Sequence, residues 1–260
     1  MKGKIAYITG ATSGIGRATA QKFASEGWNL VLTGRRAHRL ALCKEELERD
    51  HKVQVHVSEY DVRSADACFQ AVSDLPEAYR NIDLLVNNAG LARGLAPVQT
   101  GDLSDWNEMI DTNVKGLLHV TKAIAPIMIK RGEGHIINVC STAGKEVYPM
   151  GNVYCATKHA VDALTKGIRL DLHTHGIRVG QVSPAHVEET EFAKVRFHGD
   201  DEKSKIYEDF TPLSSPDVAD AIYYMAQCPR HVNVQDLLLM GTQQASSTQV
   251  DRSGRKYKSE

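Results

Sequence analysis

Tyr154 and Lys158 stand at i and i+4 in a segment that reads as a helix, so phenol and ammonium share one face. A free phenol ionises near pH ~10, too high for easy proton exchange at neutral pH. A neighbouring ammonium, together with an oxidised nicotinamide, stabilises the phenolate and lowers that value. The pair then works as a general acid/base for a carbonyl and its alcohol. Ser141, at the end of the apolar run before it, offers a hydroxyl to the substrate oxygen as charge develops. Taken alone, Tyr154 and Lys158 equally suit a half-exposed helix face.

A glycine turn far upstream decides between these readings. Thr9-Gly10-Ala11-Thr12-Ser13-Gly14-Ile15-Gly16 follows the strand-like run Ile5–Ile8 and opens a helix. That geometry presents backbone N–H groups and the positive end of a helix dipole to a phosphate. Gly10 permits the tight turn, Gly14 clears a path for a pyrophosphate, and Gly16 lets the helix lie near the sheet. One strand–helix–strand unit on, an acid would accept a hydrogen bond from a free ribose 2′-hydroxyl. The chain has Gly34-Arg35-Arg36 instead, and arginine suits a 2′-phosphate, hence NADP rather than NAD. A solvated basic loop is the bland alternative. Asp61-Val62 ends the third strand, with Asp61 placed either for the adenine amino group or to cap the helix that starts near Ser64.

The elements needed to hold these residues are visible as alternating strands and helices. Strands are expected at Ile5–Ile8, Trp28–Thr33, Lys52–Val57, Ile82–Val86, His135–Cys140, Ile177–Val182 and Leu237–Met240. The fourth is nearly all apolar, as when helices cover both faces, and ends in Asn87-Asn88-Ala89-Gly90. Long helices are expected over Asn113–Arg131, with Val114, Leu117, Leu118, Thr121, Ile124 and Ala125 inward, and over Tyr154–His173. The result is a single-domain α/β fold, a Rossmann-type doubly wound parallel sheet with helices on both faces. Residues 1–242 form the dinucleotide-binding and catalytic domain, residues 188–212 a substrate-covering lid, and residues 243–260 a polar, loosely ordered tail.

Composition narrows the function classes. With 260 residues and a formal charge of -1, acids and bases interspersed, the chain offers no electrostatic case for nucleic acid or an anionic membrane. Five scattered cysteines with no C-x-x-C pair suit a reducing, cytoplasmic setting. His173 and His175 lack a third ligand and read as surface residues, so no metal is expected. Cys140 and Cys155 read as small packing residues.

Thr9–Gly16, Asn87–Gly90, Asn113, Ser141 and Tyr154/Lys158, in that order, resemble the pattern of the classical short-chain dehydrogenases/reductases. Gly34-Arg35-Arg36, Asn87–Ala92, Ile110–Asn113, Gly151–Tyr154 and Arg196–Asp201 narrow the resemblance to NADP-dependent 3-hydroxy acid (serine, allo-threonine) dehydrogenases. The resemblance implies Tyr154 as acid/base, Lys158 on the nicotinamide ribose, Ser141 orienting substrate, and Asn113 holding a water that links Lys158 to solvent. It implies a cofactor set of Gly10, Thr12, Ser13, Gly14, Ile15, Gly16, Arg35, Arg36, Asp61, Val62, Asn88, Ala89, Gly90, Tyr154, Lys158, Pro184, Ala185, Val187 and Thr190. A homotetramer packed through the two long helices is implied as well.

Pro184-Ala185 departs from the family's Pro-Gly, and Ala185 is strained if its φ is positive. Glu188 and Glu189 replace small residues expected near the cofactor diphosphate. A hydroxy acid needs a cation for its carboxylate, and Arg93, Lys145 and Arg196 qualify, with Arg196 favoured by its place in the lid. The expected function is hydride transfer between NADP(H) and a small secondary alcohol or ketone, a 3-hydroxy acid first. A broad carbonyl, diketone or sugar reductase is the alternative within the class. A non-catalytic NADP-binding regulatory module is the alternative outside it.

Overall fold

Apolar runs that helices bury from both sides become the strands of one parallel sheet. In the computed structural model, which describes residues 3–188, 190–200, 209–255 and 257, these are β1 (Ile5–Thr9), β2 (Asn29–Gly34), β3 (Val55–Glu59), β4 (Leu84–Asn87), β5 (Gly134–Val139), β6 (Ile177–Pro184) and β7 (Asp236–Leu239). Their spatial order is β3-β2-β1-β4-β5-β6-β7, and every pairing is parallel. The order reverses between β1 and β4, where such sheets open a crevice at their carboxyl ends. Every side chain of β1 and β4 is buried.

Helices α1 (Gly14–Ser25), α2 (Ala37–His51) and α8 (Ser215–Gln227) bury Phe23, Leu40, Leu47, Ile222 and Met225 against one face. Helices α3 (Ala65–Ser73), α5 (Leu117–Arg131) and α6 (Asn152–Leu172) bury Cys68, Val72, Ile124, Met128 and Leu172 against the other. The shorter α4 (Leu103–Ile110) and α7 (Phe192–Arg196) lie over the crevice side, and Trp106 and Phe192 join the small cluster around Tyr154.

Some boundaries move. The third strand begins at Val55, because α2 runs on to His51 and Lys52 closes it in the left-handed conformation (φ 56°). Asn113 does not open a new helix. It lies in a π-helical segment, Asp111–Gly116, that joins α4 to α5, the kind of irregularity helices carry at functional sites. Leu118, expected inward, is 38 % exposed. Ser64 caps α3 with its own side chain, which accepts from Ala67 N, so Asp61 is not needed there. The start of the expected tail is held by hydrogen bonds. Gln243 and Gln244 are buried; Gln243 accepts from Thr211 N (2.9 Å) and Gln244 from His186 N (3.1 Å). Glu189 and Asp201 lie outside the described residues.

One core residue carries a pH signature. His135, in β5, is buried with neither ring nitrogen hydrogen-bonded among the described residues. Burial, then the Arg178 charge, pulls its pKa down to about 3. The fold keeps it neutral while the unfolded chain protonates it near pH ~6.5, so stability falls as pH drops below ~6.5 toward ~3. In urea unfolding, His135→Leu is expected to remove about 2 kcal/mol of the stability that the wild type loses between about pH 7 and about pH 5. Parallel acid limbs for the two proteins would refute this.

Candidate active site

A cavity of about 600 Å³ runs along the carboxyl ends of the strands. At one end lie Arg35, Arg36, Asp61 and Val62, and the glycine turn forms the floor. At the other end lie Ser141, Tyr154, Lys158 and Arg196. Thr12, Ser13, Ile15, Asn88, Ala89, Gly90, Pro184, Ala185, Val187 and Thr190 line the stretch between. Of the expected cofactor and catalytic residues, Gly16 and Asn113 stand behind the wall, and of the three candidate cations Arg93 and Lys145 do not line it.

The glycine turn has the shape a dinucleotide needs. Gly14 adopts φ +51°, and Thr190 packs onto it closely enough that a Cβ would meet its methyl group at 3.1 Å. Ser13 precedes α1 without capping it by its side chain, which leaves first-turn N–H groups for a phosphate. Thr9 Oγ1 accepts from Asn88 N (3.0 Å) and Ala89 N (2.9 Å), and Asn88 Nδ2 donates to Thr9 O (2.8 Å). These bonds lock the ends of β1 and β4 together under the crevice. Ala185 is not among the left-handed residues, so the methyl group that replaces glycine brings no backbone strain.

The guanidinium of Arg36 donates to Thr12 Oγ1 (2.6 Å), to Ser13 Oγ (2.9 Å) and to Glu191 Oε2 (2.7 Å). Arg35 is looser, 3.8 Å from Asp61 and from Glu108. The Asp61 carboxylate accepts from Arg63 N (3.0 Å) and Arg63 Nη2 (2.6 Å), and burial opposed by these bonds leaves its pKa below the ordinary value.

At the other end, α6 delivers Tyr154 and Lys158 from one face. Lys158 Nζ donates to Val139 O (3.0 Å) and lies 5.9 Å from the Tyr154 ring centre. A Cβ on Gly90 would sit 3.6 Å from that ammonium and 3.3 Å from Asn113 Oδ1. The Asn113 side chain braces the loop after β4 against α6: it accepts from Leu91 N (2.9 Å) and donates to Leu91 O (2.8 Å) and Thr157 Oγ1 (3.1 Å). Ser141 follows β5 in extended conformation and accepts from Ala143 N (3.1 Å). The lowering expected from the Lys158 ammonium is not what the structure gives: burial, reinforced by Tyr148, pushes the Tyr154 phenol well above its ordinary pKa, while Ser141 and the Arg196 charge pull the other way. Burial pulls Lys158 down.

The three candidate cations separate cleanly. Arg93 is spent on Glu108 (2.8 Å) and Val195 O (2.9 Å), and Lys145 on Asp162 and Asp236. Arg196 is buried, donating Nη1 to the Tyr148 hydroxyl (3.1 Å) and Nε to Gly94 O (3.3 Å), with its guanidinium 5.7 Å from the Tyr154 ring. Its Nη2 has no partner among the described residues. Tyr148, Glu191, Phe192, Ser247, Thr248 and Arg252 also line the cavity and carry no local signature in the sequence.

Such a cleft equips an oxidoreductase that uses a nicotinamide cofactor on an alcohol or a carbonyl. Residues 4–201 match the family model of the short chain dehydrogenases, and the chain belongs to that family. It is 49 % identical over 251 residues to sulfoacetaldehyde reductase 2 of Chromohalobacter salexigens, covering 95 % of this chain and 98 % of that one. It is 44 % identical to an NADP-dependent 3-hydroxy acid dehydrogenase of Salmonella typhi, covering 96 % and 100 %. The closed form of a serine dehydrogenase complexed with NADP+ superposes with a TM-score of 0.89 at 41 % identity, covering 94 % and 97 %. The chain is an NADP-dependent oxidoreductase acting on the CH–OH or carbonyl group of small substrates.

Proposed function

We propose that the chain interconverts a small 3-hydroxy acid and its 3-oxo acid, with the substrate carboxylate on Arg196. One observation carries this reading: Arg196 lines the same cavity as Tyr154, and its buried Nη2 makes no hydrogen bond among the described residues. An unsatisfied buried cation is costly, and an anionic substrate relieves the cost. Tyr154 passes the proton to or from the substrate oxygen, and Ser141 hydrogen-bonds that oxygen as charge builds. Lys158 sits by the ribose and Asn113 fixes the loop beside it. NADP(H), when bound, supplies the hydride acceptor or donor. Its diphosphate belongs on the glycine turn and its 2′-phosphate on Arg35 and Arg36.

A sulfonate in place of the carboxylate is the second reading. It is favoured by the sulfoacetaldehyde reductase relative and by Ser247 Oγ, a second buried donor without a partner at the cavity. We further propose a cytoplasmic homotetramer packed through α5 and α6, a reading supported by the exposure of Leu118, Ile129 and Leu170 on those helices.

The test compares malonic semialdehyde, sulfoacetaldehyde and neutral diacetyl with NADPH. Arg196→Met is expected to lower kcat/KM about 100-fold for whichever anion is preferred, and to leave diacetyl within about threefold. Equal losses on all three, or a wild-type preference for diacetyl, would replace the hydroxy-acid reading with that of a general carbonyl reductase.

A further inference from the structure

Glu191 is the residue before α7, and no motif singles it out. Its carboxylate is shared by two arginines from the segment after β2: Oε2 accepts from Arg36 Nη1 at 2.7 Å and Oε1 from Arg39 Nη1 at 2.8 Å. Arg36 reaches the same place with Thr12 and Ser13 already on its Nη2. Glu191, Arg36, Thr12 and Ser13 all line the cavity. Thr190, next in sequence, is packed on Gly14, which fixes where the Glu191 backbone sits.

We infer that Glu191 is a specificity-determining residue for the cofactor: its carboxylate competes with a ribose 2′-phosphate for Arg36 and Arg39. The inference rests on the placement of the 2′-phosphate at Arg36. A phosphomonoester carries roughly -1.5 to -2 charge at neutral pH and three strong acceptors, and it seeks the same forked N–H groups that a carboxylate does. Both anions cannot take the same Nη1 hydrogen, and placed side by side they repel. Against the upward pull of burial, the hydrogen bonds from Arg36, Arg39 and Ser13 hold the Glu191 pKa down to about 2, so the carboxylate competes at every working pH. A cofactor without the phosphate meets no such competition. Glu191 therefore lowers affinity for NADP(H) selectively and narrows the gap between the two nicotinamide cofactors.

The experiment measures binding by calorimetry rather than turnover. The full chain is titrated with adenosine 2′,5′-bisphosphate, with adenosine 5′-diphosphate as the control lacking the 2′-phosphate. Glu191→Gln is expected to bind the bisphosphate about tenfold more tightly and the diphosphate unchanged. NADPH and NADH, followed by nicotinamide fluorescence, are expected to show the same split. Bisphosphate affinity that stays put or weakens in Glu191→Gln, with an unchanged melting temperature, overturns the inference. Arg36→Met separates the two layers of the argument. If it leaves bisphosphate binding intact, the placement of the 2′-phosphate falls and the inference with it. If it weakens binding while Glu191→Gln gives no gain, the placement stands and only the role of Glu191 is lost. A Glu191→Ala variant that matches Glu191→Gln supports competition by charge, whereas one that binds more weakly than wild type overturns it in favour of a positioning role.

Discussion

Tyr154→Phe is expected to reduce turnover by about 10³-fold in both directions while leaving NADPH affinity within about twofold. The variant loses one oxygen and keeps the ring, and the ring is what packs edge-on against Phe192 at 5.6 Å. The fold and the cofactor end of the cleft therefore have little reason to change. The pH dependence should be asymmetric. Burial dominates at Tyr154 and holds the phenol protonated through the neutral range. Reduction consumes that proton, so its rate should be flat across neutral pH as far as this group decides it. Oxidation needs the phenolate, so its rate should climb with pH toward the alkaline limit. Steady-state rates in both directions across the pH range check this, and an oxidation rate that levels off below neutrality would mean that another group takes the proton.

Gly16→Ala is expected to be the most damaging single methyl group in the nucleotide half. A Cβ there would lie 2.4 Å from Gly10 O and 2.4 Å from Asn88 Nδ2. The first is backbone, in a turn held at φ +66°. The second cannot swing away without giving up its bonds to Thr9 O and Gly10 O. Either α1 backs off the sheet or the turn opens, and both move the N–H groups meant for the diphosphate. The expected loss is about 2–3 kcal/mol of stability and about 100-fold in NADPH affinity. Gly167→Ala in α6 is the internal control. Nothing lies within 4 Å of its added methyl, and helix propensity alone should stabilise the protein slightly. Thermal melts should fall for Gly16→Ala and hold or rise for Gly167→Ala, and NADPH titrations should weaken for Gly16→Ala alone; similar behaviour of the two variants would show that contact at Gly16 is not the cause.

Much of the nucleotide half was legible because its signal is local. A strand, three spaced glycines and a helix sit within a dozen or so residues, and the arginines follow one unit later. Tyr154 and Lys158 were legible for the same reason, being one helical turn apart. The substrate half was less so, because its meaning lies in pairings between distant segments. Arg93, Lys145 and Arg196 look alike in a sequence; only the positions of Glu108, Asp162 and Asp236 reveal that the first two are engaged. Tyr148 and Glu191 acquire roles through Arg196 and Arg36, which are far from them in the chain. Gln243 and Gln244 read as polar tail residues, yet their amides complete backbone hydrogen bonds of the segments near 186 and 211. Asn113 reads as the start of a helix in the sequence because periodicity carries no sign of a π-helical turn within a longer run.

The seam between β1 and β4 has a kinetic meaning. β1, β2 and β3 pair within residues 5–59, whereas β1 meets β4 only after a further stretch of chain, as in the bond from Ile5 N to the Asp83 carboxylate, 78 residues apart. Contacts closing long loops form late during refolding. The crevice straddles that seam, with Gly10 on one bank and Ala89 on the other. A dinucleotide laid across it grips both banks, and a ligand that binds only the joined form draws the equilibrium toward it. On the proposed placement of the cofactor, renaturation from urea is therefore expected to recover more protein when NADP(H) is present.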